Sequence, residues 1–379
     1  MARNPIETSS VKRMAVIAPD GLSILRQRSE LIGDIMARRH SVLALVPEDA
    51  AHSLAALAEL GITATTFPYS SGQPSMFSDR KTVAAIAAAL SDWRTHVALC
   101  TGSKTLLLGA MAAKKARVTR QVGLVTALPP AMMSDGAASP GWAWQRLMKT
   151  GCKGLDAVVF HNDSHRSRFA AAGCLASTLG SVVLPGAGVD LERHPMQPLP
   201  PLVNGDVPAL NFAMIARMDA SKGVIEFCEA ARRIKQSAPD TQFILAGPDG
   251  DLDRNALSSY SDSVEIIADQ ADVRPLLAAA HVIVLPSWGE GMPRILLEAL
   301  ATGRPIITTD IPGARDTVDE RINGVLVPPK DVSSLAAAIT SFLKRPDLIP
   351  AMARASRSKA ERRFDVRQVN AALLQVLGL

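Results

Sequence analysis

Residues 281–301 read HVIVLPSWGEGMPRILLEALA. A short apolar run at 281–286 is followed by a glycine-containing loop and then by a segment with helical spacing. The apolar run shows no alternation of polar and apolar residues, which is typical of a strand buried on both faces of a parallel sheet. Pro293 stands where the helix is predicted to begin, a position that proline favours because no hydrogen bond is lost there. The stretch therefore predicts the strand, loop and helix of an α/β fold.

The same alternation of apolar strands and helical segments continues along the chain in both directions. The predicted strands are 14–19, 41–47, 62–68, 97–101, 121–126, 157–161, 210–215, 242–246, 264–268, 281–286, 305–309 and 324–327. Five prolines interrupt the pattern at 191–209, where regular hydrogen bonding cannot continue. We therefore predict an α/β protein with two Rossmann-like domains that face each other across a cleft. The predicted bounds are 1–190 and 210–360, with a proline-rich linker at 191–209 and a C-terminal helix at 361–379 that packs on one of the domains.

The composition fits a two-domain globular protein. The chain has 379 residues, more than one core of about 100 to 200 residues accommodates. No run approaches the roughly 18 apolar residues of a membrane-spanning helix, and the N-terminal residues lack the apolar core of a secretory signal. We therefore expect a cytoplasmic protein. The four cysteines have no regular spacing, which predicts free thiols rather than disulfides or a zinc site.

Positive charge is concentrated in the first half of the chain. Residues 1–190 hold 20 Lys and Arg against 13 Asp and Glu, a net charge of +7, whereas residues 191–379 hold 21 against 23, a net charge of −2. A basic half suits nucleic acid, an anionic membrane surface or a phosphate-bearing substrate. Aromatic residues make up 4% of the chain, too few for a surface on which bases stack, so we expect no nucleic-acid partner.

The densest basic cluster is Lys114, Lys115, Arg117 and Arg120. We predict that it docks on the inner face of the membrane, whose anionic lipids attract Lys and Arg side chains. Met132–Met133 and Trp142–Trp144 are predicted to add apolar contact with the bilayer interface. The alternative is a solvated basic face that serves only solubility.

Two cations follow the strand predicted at 210–215. Arg217 and Lys222 precede Gly223 at the start of a predicted helix. Arg offers a planar fork, Lys a point charge, and glycine lets the backbone approach a ligand closely, a combination that suits a diphosphate. Taken alone, the same pattern also fits an ordinary solvated loop with two surface cations.

The glycine-containing loop and its helix carry two carboxylates, Glu290 and Glu298. A carboxylate accepts two hydrogen bonds at once and therefore binds vicinal hydroxyls well. Glu298 has apolar neighbours, among which an unpaired carboxylate would be costly, although the alternative is a polar residue on an amphipathic helix. Gly291, Met292 and Pro293 are predicted to bind the ligand where the helix begins, because unpaired N–H groups there attract an anion.

Three other motifs resemble ligand sites but lack a required part. His161 and His165 have the spacing of helical metal ligands, without an evident third ligand. The stretch 102–105, GSKT, lacks the earlier glycine of a phosphate-binding loop. Asp251 and Asp253 imitate a metal-binding pair within what reads as a solvated loop. We therefore predict no metal and no cofactor.

The spacing of Glu290 and Glu298 closely resembles the E-x7-E pattern of the retaining glycosyltransferases of family 4, which have the GT-B fold. Arg217 with Lys222, the stretch 186–190 (GAGVD) and the stretch 324–331 (GVLVPPKD) are similar to other segments of that family. The resemblance is strong over the C-terminal domain and only general over the N-terminal domain. Within the family, Phe160–Asn162 and a segment beginning at Arg28 are similar to bacterial enzymes that build lipid-linked surface polysaccharides from UDP-N-acetylhexosamines and related donors.

The resemblance implies a role for each matching residue. Glu290 would contact the donor sugar, Glu298 would hold the ribose, and Arg217 and Lys222 would neutralise the diphosphate. Gly186, Gly188 and Asp190 would lie on the acceptor side or between the domains. The reaction would retain the anomeric configuration without a protein nucleophile or a divalent metal, and the enzyme would act mainly through positioning and electrostatics. The loop at 126–130 departs from the family, so the acceptor-side groups are not assigned.

The sequence thus predicts a retaining glycosyltransferase. It would move a hexose or N-acetylhexosamine from a nucleoside-diphosphate sugar, with a UDP-sugar favoured, to a polysaccharide or a lipid-linked oligosaccharide. The alternatives are a sugar-nucleotide epimerase, which would convert the donor without an acceptor, and a non-catalytic subunit of polysaccharide assembly. The complete set of Glu290, Glu298, Arg217 and Lys222 speaks against a loss of turnover, and the fold alone would not decide.

Overall fold

A computed structural model describes residues 11–70, 72, 74–126, 128, 142–175, 180–204, 207–208 and 210–379. The chain divides into two compact units, the first formed by Met1–Ala187 with Val369–Leu379 and the second by Gly188–Gln368. Each unit contains a parallel sheet with helices between its strands, which confirms the predicted α/β class.

The first unit is built on a seven-stranded sheet in the order β3-β2-β1-β4-β5-β6-β7. Its strands are β1 (Arg13–Ile17), β2 (Ser41–Pro47), β3 (Thr63–Phe67), β4 (Val97–Thr101), β5 (Arg120–Val125), β6 (Ala157–Phe160) and β7 (Gly180–Val183). From β1 the chain builds outward to β3 and then returns to the other side of β1 at β4. This reversal is the point at which α/β sheets bind ligands, outside the carboxyl ends of the two central strands.

Helices connect these strands. They are α1 (Gly21–Ala37), α2 (Leu54–Glu59, preceded by a 3-10 helix at Glu48–Ser53), α3 (Met76–Asp92), α4 (Lys104–Lys115), α5 (Trp142–Cys152) and α6 (Asp163–Ala171). Side chains of the preceding residue fix two of the helix starts: Asp20 accepts a hydrogen bond from Ser23 N at 2.6 Å, and Asn162 accepts one from His165 N at 2.8 Å. Such caps satisfy N–H groups that a helix leaves unpaired at its beginning.

The second unit contains a six-stranded parallel sheet in the order β12-β11-β10-β13-β14-β15. A short antiparallel hairpin, β8 (Val203–Asn204) and β9 (Val207–Pro208), precedes it, and the sheet strands are β10 (Asn211–Ile215), β11 (Gln242–Ala246), β12 (Glu265–Ile267), β13 (Val282–Leu285), β14 (Ile306–Thr309) and β15 (Gly324–Val327). The helices are α7 (Val224–Lys235), α8 (Arg254–Leu257), α9 (Arg274–Ala279), α10 (Arg294–Thr302), α11 (Val332–Lys344) and α12 (Ile349–Lys359, followed by a π-helical turn at Ala360–Phe364). The last helix, α13 (Val366–Leu377), begins in this unit, but most of its residues belong to the first unit.

The end of the chain returns to the first unit. Leu373, Leu374 and Leu377 of α13 are buried in the same apolar cluster as residues of β1 and β2. Arg120 donates hydrogen bonds to the carbonyl oxygen of Val376, at 2.7 Å from Nη2 and 3.1 Å from Nε. The last eleven residues, Val369–Leu379, therefore complete the core of the first unit.

These contacts correct two details of the predicted membrane surface. Arg120 is engaged by the Val376 carbonyl, so the exposed basic cluster is reduced to Lys114, Lys115 and Arg117. Trp144 is 8% exposed and packs in the core of the first unit, so its ring cannot contact a bilayer. Met132–Met133 and the side chain of Trp142 lie outside the described residues. Within the described part of the chain, no helix is both long and apolar enough to cross a membrane.

Candidate functional site

The loops that the sequence singles out meet at the centre of the second sheet. After β10 the chain builds outward to β12 and then returns to the other side of β10 at β13. Residues 216–223 follow β10, and residues 286–293 follow β13, so both segments leave the carboxyl ends of neighbouring parallel strands. In open α/β sheets, such a reversal of strand order marks the position outside the carboxyl ends of the strands at which ligands bind.

An ion pair joins the two loops. The Nζ of Lys222 lies 2.6 Å from Oε1 of Glu290, and the Ser287 hydroxyl donates to the same oxygen at 2.7 Å. The side chain of Glu290 is 10% exposed and that of Lys222 is 28% exposed, so the pair lies near the surface without being fully solvated. Trp288 N also donates to Ser221 O at 2.9 Å. The predicted cation and the predicted carboxylate thus stand at one position.

Gly223 makes this approach of the two loops possible. Its φ is +79°, a left-handed conformation that disfavours residues with a Cβ. A Cβ at this position would lie 2.2 Å from Pro286 O, a backbone atom at the end of β13. Both the conformation and the contact therefore require glycine here.

Arg217 is held by an acidic neighbour. Its Nη2 lies 2.5 Å from Oδ2 of Asp219, whose side chain is 7% exposed, while the side chain of Arg217 is 63% exposed. Asp219 Oδ1 accepts a hydrogen bond from Asp251 N at 3.1 Å, and Asp251 Oδ1 accepts one from Ala220 N at 2.8 Å. Asp219 and Asp251 therefore bind together the loops after β10 and β11 and leave the outer face of the Arg217 guanidinium exposed to solvent.

The aspartates that imitate a metal-binding pair have structural partners. Asp251 holds Ala220 N, and Asp253 caps α8 by accepting a hydrogen bond from Asn255 N at 2.9 Å. Over the residues that the structure covers, no three His, Cys, Asp or Glu side chains come together as a metal site requires.

Glu298 lies in α10, where an arginine and a histidine approach it. Arg294 Nε donates to Oε1 of Glu298 at 2.7 Å, and Nε2 of His194 lies 3.9 Å from the same oxygen. Glu298 is 8% exposed, which matches the expectation that this carboxylate requires a partner. Burial lowers the pKa of His194, an effect that the nearby Glu298 carboxylate opposes. A neutral His194 therefore leaves Arg294 as the charged partner of Glu298.

His194 was not predicted, and its position follows from the predicted segment 186–190. Gly186 and Gly188 have φ values of +72° and +74°, and a Cβ on Gly188 would lie 2.6 Å from the Val366 Cα. Asp190 Oδ1 then accepts hydrogen bonds from Glu192 N at 2.8 Å and Arg193 N at 3.0 Å. The resulting turn brings His194 to Glu298. Its only signal in the sequence is a histidine four residues after the aspartate.

The beginning of α10 differs by one position from the prediction. Pro293 has a ψ of 113° and precedes the first helical residue, Arg294, so it occupies the N-cap position. Gly313, in the loop after β14, packs against this segment: its φ is +84°, and a Cβ there would lie 2.1 Å from Gly291 O. Met292 packs against the core of the unit. Gly313 is a second residue that the sequence analysis missed, because its partner is distant in the chain.

The first unit has its own cavity at the equivalent reversal of strand order. It measures about 160 Å³ and is lined at the carboxyl ends of β1, β4 and β5 by Asp20, Arg28, Thr101 and Thr126, among others. Arg28 is 4% exposed, and its Nη2 lies 3.3 Å from Nε2 of His161. Burial, with a smaller effect from the Arg28 charge, lowers the pKa of His161 to about 3. A neutral His161 thus lies beside a cation at this cavity.

Lys104, in the motif that imitates a phosphate loop, has a structural role. Its side chain is 2% exposed, its Nζ lies 2.9 Å from Oδ1 of Asp79, and it donates to Ser70 O at 2.9 Å. The ammonium group is thereby directed at α3 and the end of the loop after β3.

Known proteins resemble this chain in sequence and in fold. A model of the family described as glycosyl transferases group 1 matches residues 209–345. A Campylobacter jejuni protein, N,N'-diacetylbacillosaminyl-diphospho-undecaprenol alpha-1,3-N-acetylgalactosaminyltransferase, is 24% identical over 88% of this chain and 89% of its own length. An Escherichia coli protein, UDP-Gal:alpha-D-GlcNAc-diphosphoundecaprenol alpha-1,3-galactosyltransferase, is 26% identical over 70% of each chain.

Among solved structures, Anabaena HepE in complex with UDP superposes with a TM-score of 0.76 at 19% identity, over 97% of this chain and 99% of HepE. At that identity the likeness concerns the fold, which is the predicted GT-B fold. These matches confirm the resemblance drawn from the motifs: the chain is a glycosyltransferase with the GT-B fold, and its residues 209–345 carry the sequence pattern of the glycosyl transferases group 1.

Proposed function

We propose that this enzyme is a retaining glycosyltransferase that moves a hexose or N-acetylhexosamine from a nucleoside-diphosphate sugar to a polysaccharide or lipid-linked oligosaccharide. The observation that carries the proposal is the Lys222–Glu290 pair at the reversal of strand order between β10 and β13. A cation and a hydrogen-bond-accepting carboxylate at one position suit a ligand in which a phosphate is joined directly to a sugar.

Each group has a distinct task in this proposal. Lys222 and the exposed face of Arg217 neutralise the diphosphate, and the N-terminal end of α10 adds unpaired N–H groups and a partial positive charge. Glu290 accepts hydrogen bonds from the donor sugar. Glu298 accepts them from the ribose, with its carboxylate held in place by Arg294.

These groups supply the electrostatics that the reaction needs. The bond between the anomeric carbon and the phosphate oxygen breaks, and a bond forms between that carbon and the acceptor hydroxyl oxygen. The proton of that hydroxyl passes to the departing phosphate oxygen on the same face of the sugar, so the configuration is retained without a protein nucleophile. Because the negative charge that develops on the leaving diphosphate meets Lys222 and Arg217, the mechanism requires no divalent metal.

The chemistry of the donor and acceptor is supported by the relatives. The two bacterial relatives described above are named for acceptors carrying an undecaprenol diphosphate, and the E. coli enzyme is also named for a UDP-sugar donor. Anabaena HepE was solved with UDP and with UDP-glucose. We therefore favour a UDP-sugar as donor and a lipid-diphosphate saccharide as acceptor.

The small cavity of the first unit suits the saccharide end of this acceptor. Asp20 and Thr126 supply groups that pair with sugar hydroxyls, while Arg28 adds a cation. Hydrogen-bond-accepting oxygens beside a guanidinium with several N–H donors are the groups expected in a site for a polar, phosphate-bearing saccharide.

A donor-release assay tests the proposal. Purified protein is incubated with UDP-, GDP- and ADP-sugars, with and without a lipid-diphosphate saccharide, and the freed nucleoside diphosphate is measured. We expect release of UDP that depends on the acceptor, and loss of that release in Lys222→Ala but not in Lys235→Ala, a cation on α7 outside the site. Conversion of the donor sugar without an acceptor would instead identify an epimerase, and binding of a UDP-sugar without turnover a non-catalytic subunit.

A further inference from the structure

The first unit contains another and larger cavity, which is flanked by three helices and open to solvent on one side. It lies between α3, α4 and α5, measures about 620 Å³, and is separate from the small cavity at the ends of β1 and β4. Helix α4 packs against both α3 and α5. We refer to it below as the helical cavity. The roles proposed above for the two sheet edges do not use it.

The inner wall of the helical cavity is apolar. Val83 of α3, Leu108 and Met111 of α4, and Leu147 of α5 line it. Leu108 is fully buried and Leu147 is 8% exposed, whereas Val83 and Met111 are half-buried, so the apolar surface that the described residues leave uncovered belongs mainly to Val83 and Met111. Binding of a hydrocarbon chain to such a surface lowers the free energy, because apolar area is removed from water.

The rim of the helical cavity is positively charged. Each helix contributes one cation: Arg80 from α3, Lys115 from α4 and Arg146 from α5, all exposed. Asp79 is the only carboxylate among the described residues that line the cavity, and it is already occupied, since its Oδ1 pairs with Lys104 at 2.9 Å and its Oδ2 accepts from Ser75 N at 2.8 Å. The rim therefore attracts anions.

We propose that the helical cavity binds the lipid end of the acceptor, an isoprenoid diphosphate, with the apolar chain along Met111 and Leu147 and the phosphates at Arg80, Lys115 and Arg146. Only an amphiphilic anion satisfies both halves of the cavity, because an inorganic anion leaves the apolar wall in water and a neutral lipid leaves the cations without a partner. The choice of an isoprenoid diphosphate rests on the proposed function, in which the acceptor carries that group.

Binding of a short isoprenoid diphosphate to the full-length protein tests this directly. Geranylgeranyl diphosphate is titrated by calorimetry in the absence of any donor sugar, and inorganic diphosphate and geranylgeraniol are titrated separately. We expect the amphiphile to bind about 10-fold or more tightly than either part alone. Equal binding of inorganic diphosphate would reduce the site to a simple anion site, and equal binding of geranylgeraniol would reduce it to an apolar pocket; either result overturns the proposal.

Two matched triple variants test the role of the rim. R80A/K115A/R146A removes the three rim cations, whereas K81A/K114A/K149A removes three exposed cations from the same helices that do not line the cavity. The net charge of the two proteins is identical. We expect the first variant to bind geranylgeranyl diphosphate about 10-fold or more weakly and the second to bind it like the wild type. Equal losses would show attraction by the basic face as a whole, and the proposal would fail.

A cavity-filling change tests the apolar wall. Met111→Trp occupies space in the helical cavity, and Val83→Phe provides a second variant if the first does not fold, as judged by circular dichroism and thermal unfolding. We expect either folded variant to weaken binding of geranylgeranyl diphosphate about 10-fold while leaving binding of UDP unchanged. Unchanged affinity for the isoprenoid diphosphate would show that its hydrocarbon chain binds elsewhere on the protein, and the proposal would fail.

The two proposals fail in different ways. Acceptor-dependent release of UDP with a water-soluble saccharide, combined with no isoprenoid binding, would overturn the role of the helical cavity and leave the glycosyltransferase reaction standing. Isoprenoid binding in a protein that neither binds nor cleaves any nucleotide sugar would support the cavity and overturn the proposed reaction.

Discussion

Glu290 and Glu298 are both paired with cations, but their surroundings differ. Glu290 receives hydrogen bonds from Lys222 and Ser287 within loops, whereas Glu298 is held on a helix by Arg294. A carboxylate that binds the ribose contributes equally before and during the reaction, while one that binds the reacting sugar contributes most in the transition state. The two residues should therefore affect different kinetic parameters.

We predict that Glu298→Ala raises the KM for the donor more than Glu290→Ala does, and that Glu290→Ala lowers kcat more. Initial rates over a range of UDP-sugar concentrations measure both parameters, and Glu290→Gln and Glu298→Gln serve as variants of nearly unchanged shape. An unchanged donor KM in Glu298→Ala, with only kcat reduced, would contradict the assigned roles.

The diphosphate cations give a second prediction at this scale. Lys222→Ala and Arg217→Ala should each reduce kcat/KM about 100-fold or more, a loss typical of removing one preorganised charge-stabilising group. Arg232→Ala, on α7, is the control because its cation pairs with Glu229 on the surface. Since the mechanism relies on these cations, EDTA should leave the rate unchanged. A strong loss in EDTA that Mn²⁺ or Mg²⁺ restores would return Asp251 and Asp253 to consideration.

At the scale of elements, the loop between β10 and α7 depends on one glycine. Gly223→Ala places a Cβ against Pro286 O and also forces alanine into a left-handed conformation. We predict a loss of stability of about 2 kcal/mol or more together with weaker UDP binding, because the loop that carries Lys222 must move. Thermal unfolding and calorimetry measure the two effects.

Gly173→Ala is the matched control for this change. Gly173 also has a positive φ, +71°, but a Cβ there would meet no atom within 4 Å. It should therefore show only the conformational cost of about 1 kcal/mol and keep UDP binding intact. If Gly223→Ala bound UDP as the wild type does, the close approach of the two loops would not be needed for the donor.

Elements with continuous apolar sequence were predictable, and those without it were not. The bounds of β2, β4, β11 and β15 agree with the sequence prediction, because each is a short and mainly apolar run. Strand β7 was missed because only Val182 and Val183 of its four residues are apolar, and the hairpin β8–β9 was missed because it lies in the proline-rich stretch. Local sequence pattern predicts a strand poorly where apolar residues are few or prolines interrupt the run.

The candidate site shows the same division. The residue types of Lys222 and Glu290 and their places after strands were readable, because the carboxyl ends of parallel strands share one edge. Their direct pairing was not readable, nor were the contacts of His194 with Glu298 and of Gly313 with Gly291. These contacts join segments that are distant in the chain, and only the order of the strands brings them together.

At the scale of the whole molecule, charge is unevenly divided: residues 1–190 carry a net charge of +7 and residues 191–379 a net charge of −2. The exposed part of the basic cluster is Lys114, Lys115 and Arg117, and Phe77 of α3, 85% exposed, supplies an apolar side chain on the same unit. Each cation near an anionic membrane contributes about 1 kcal/mol to binding. The first unit should therefore bind anionic bilayers even when these contain no isoprenoid.

Vesicle sedimentation checks this last prediction. Wild-type protein should co-pellet with anionic vesicles and not with neutral ones, and less of it should pellet at high salt because the charges are screened. K114Q/K115Q/R117Q should lose the effect without unfolding, whereas the same change at Arg232, Arg233 and Lys235 of α7 should keep it. The variant R80A/K115A/R146A removes only Lys115 from the cluster, so it should retain more vesicle binding than K114Q/K115Q/R117Q although it binds the isoprenoid diphosphate more weakly. If the wild-type protein does not co-pellet with anionic vesicles at low ionic strength, the prediction of membrane binding is wrong and a water-soluble acceptor becomes the better proposal.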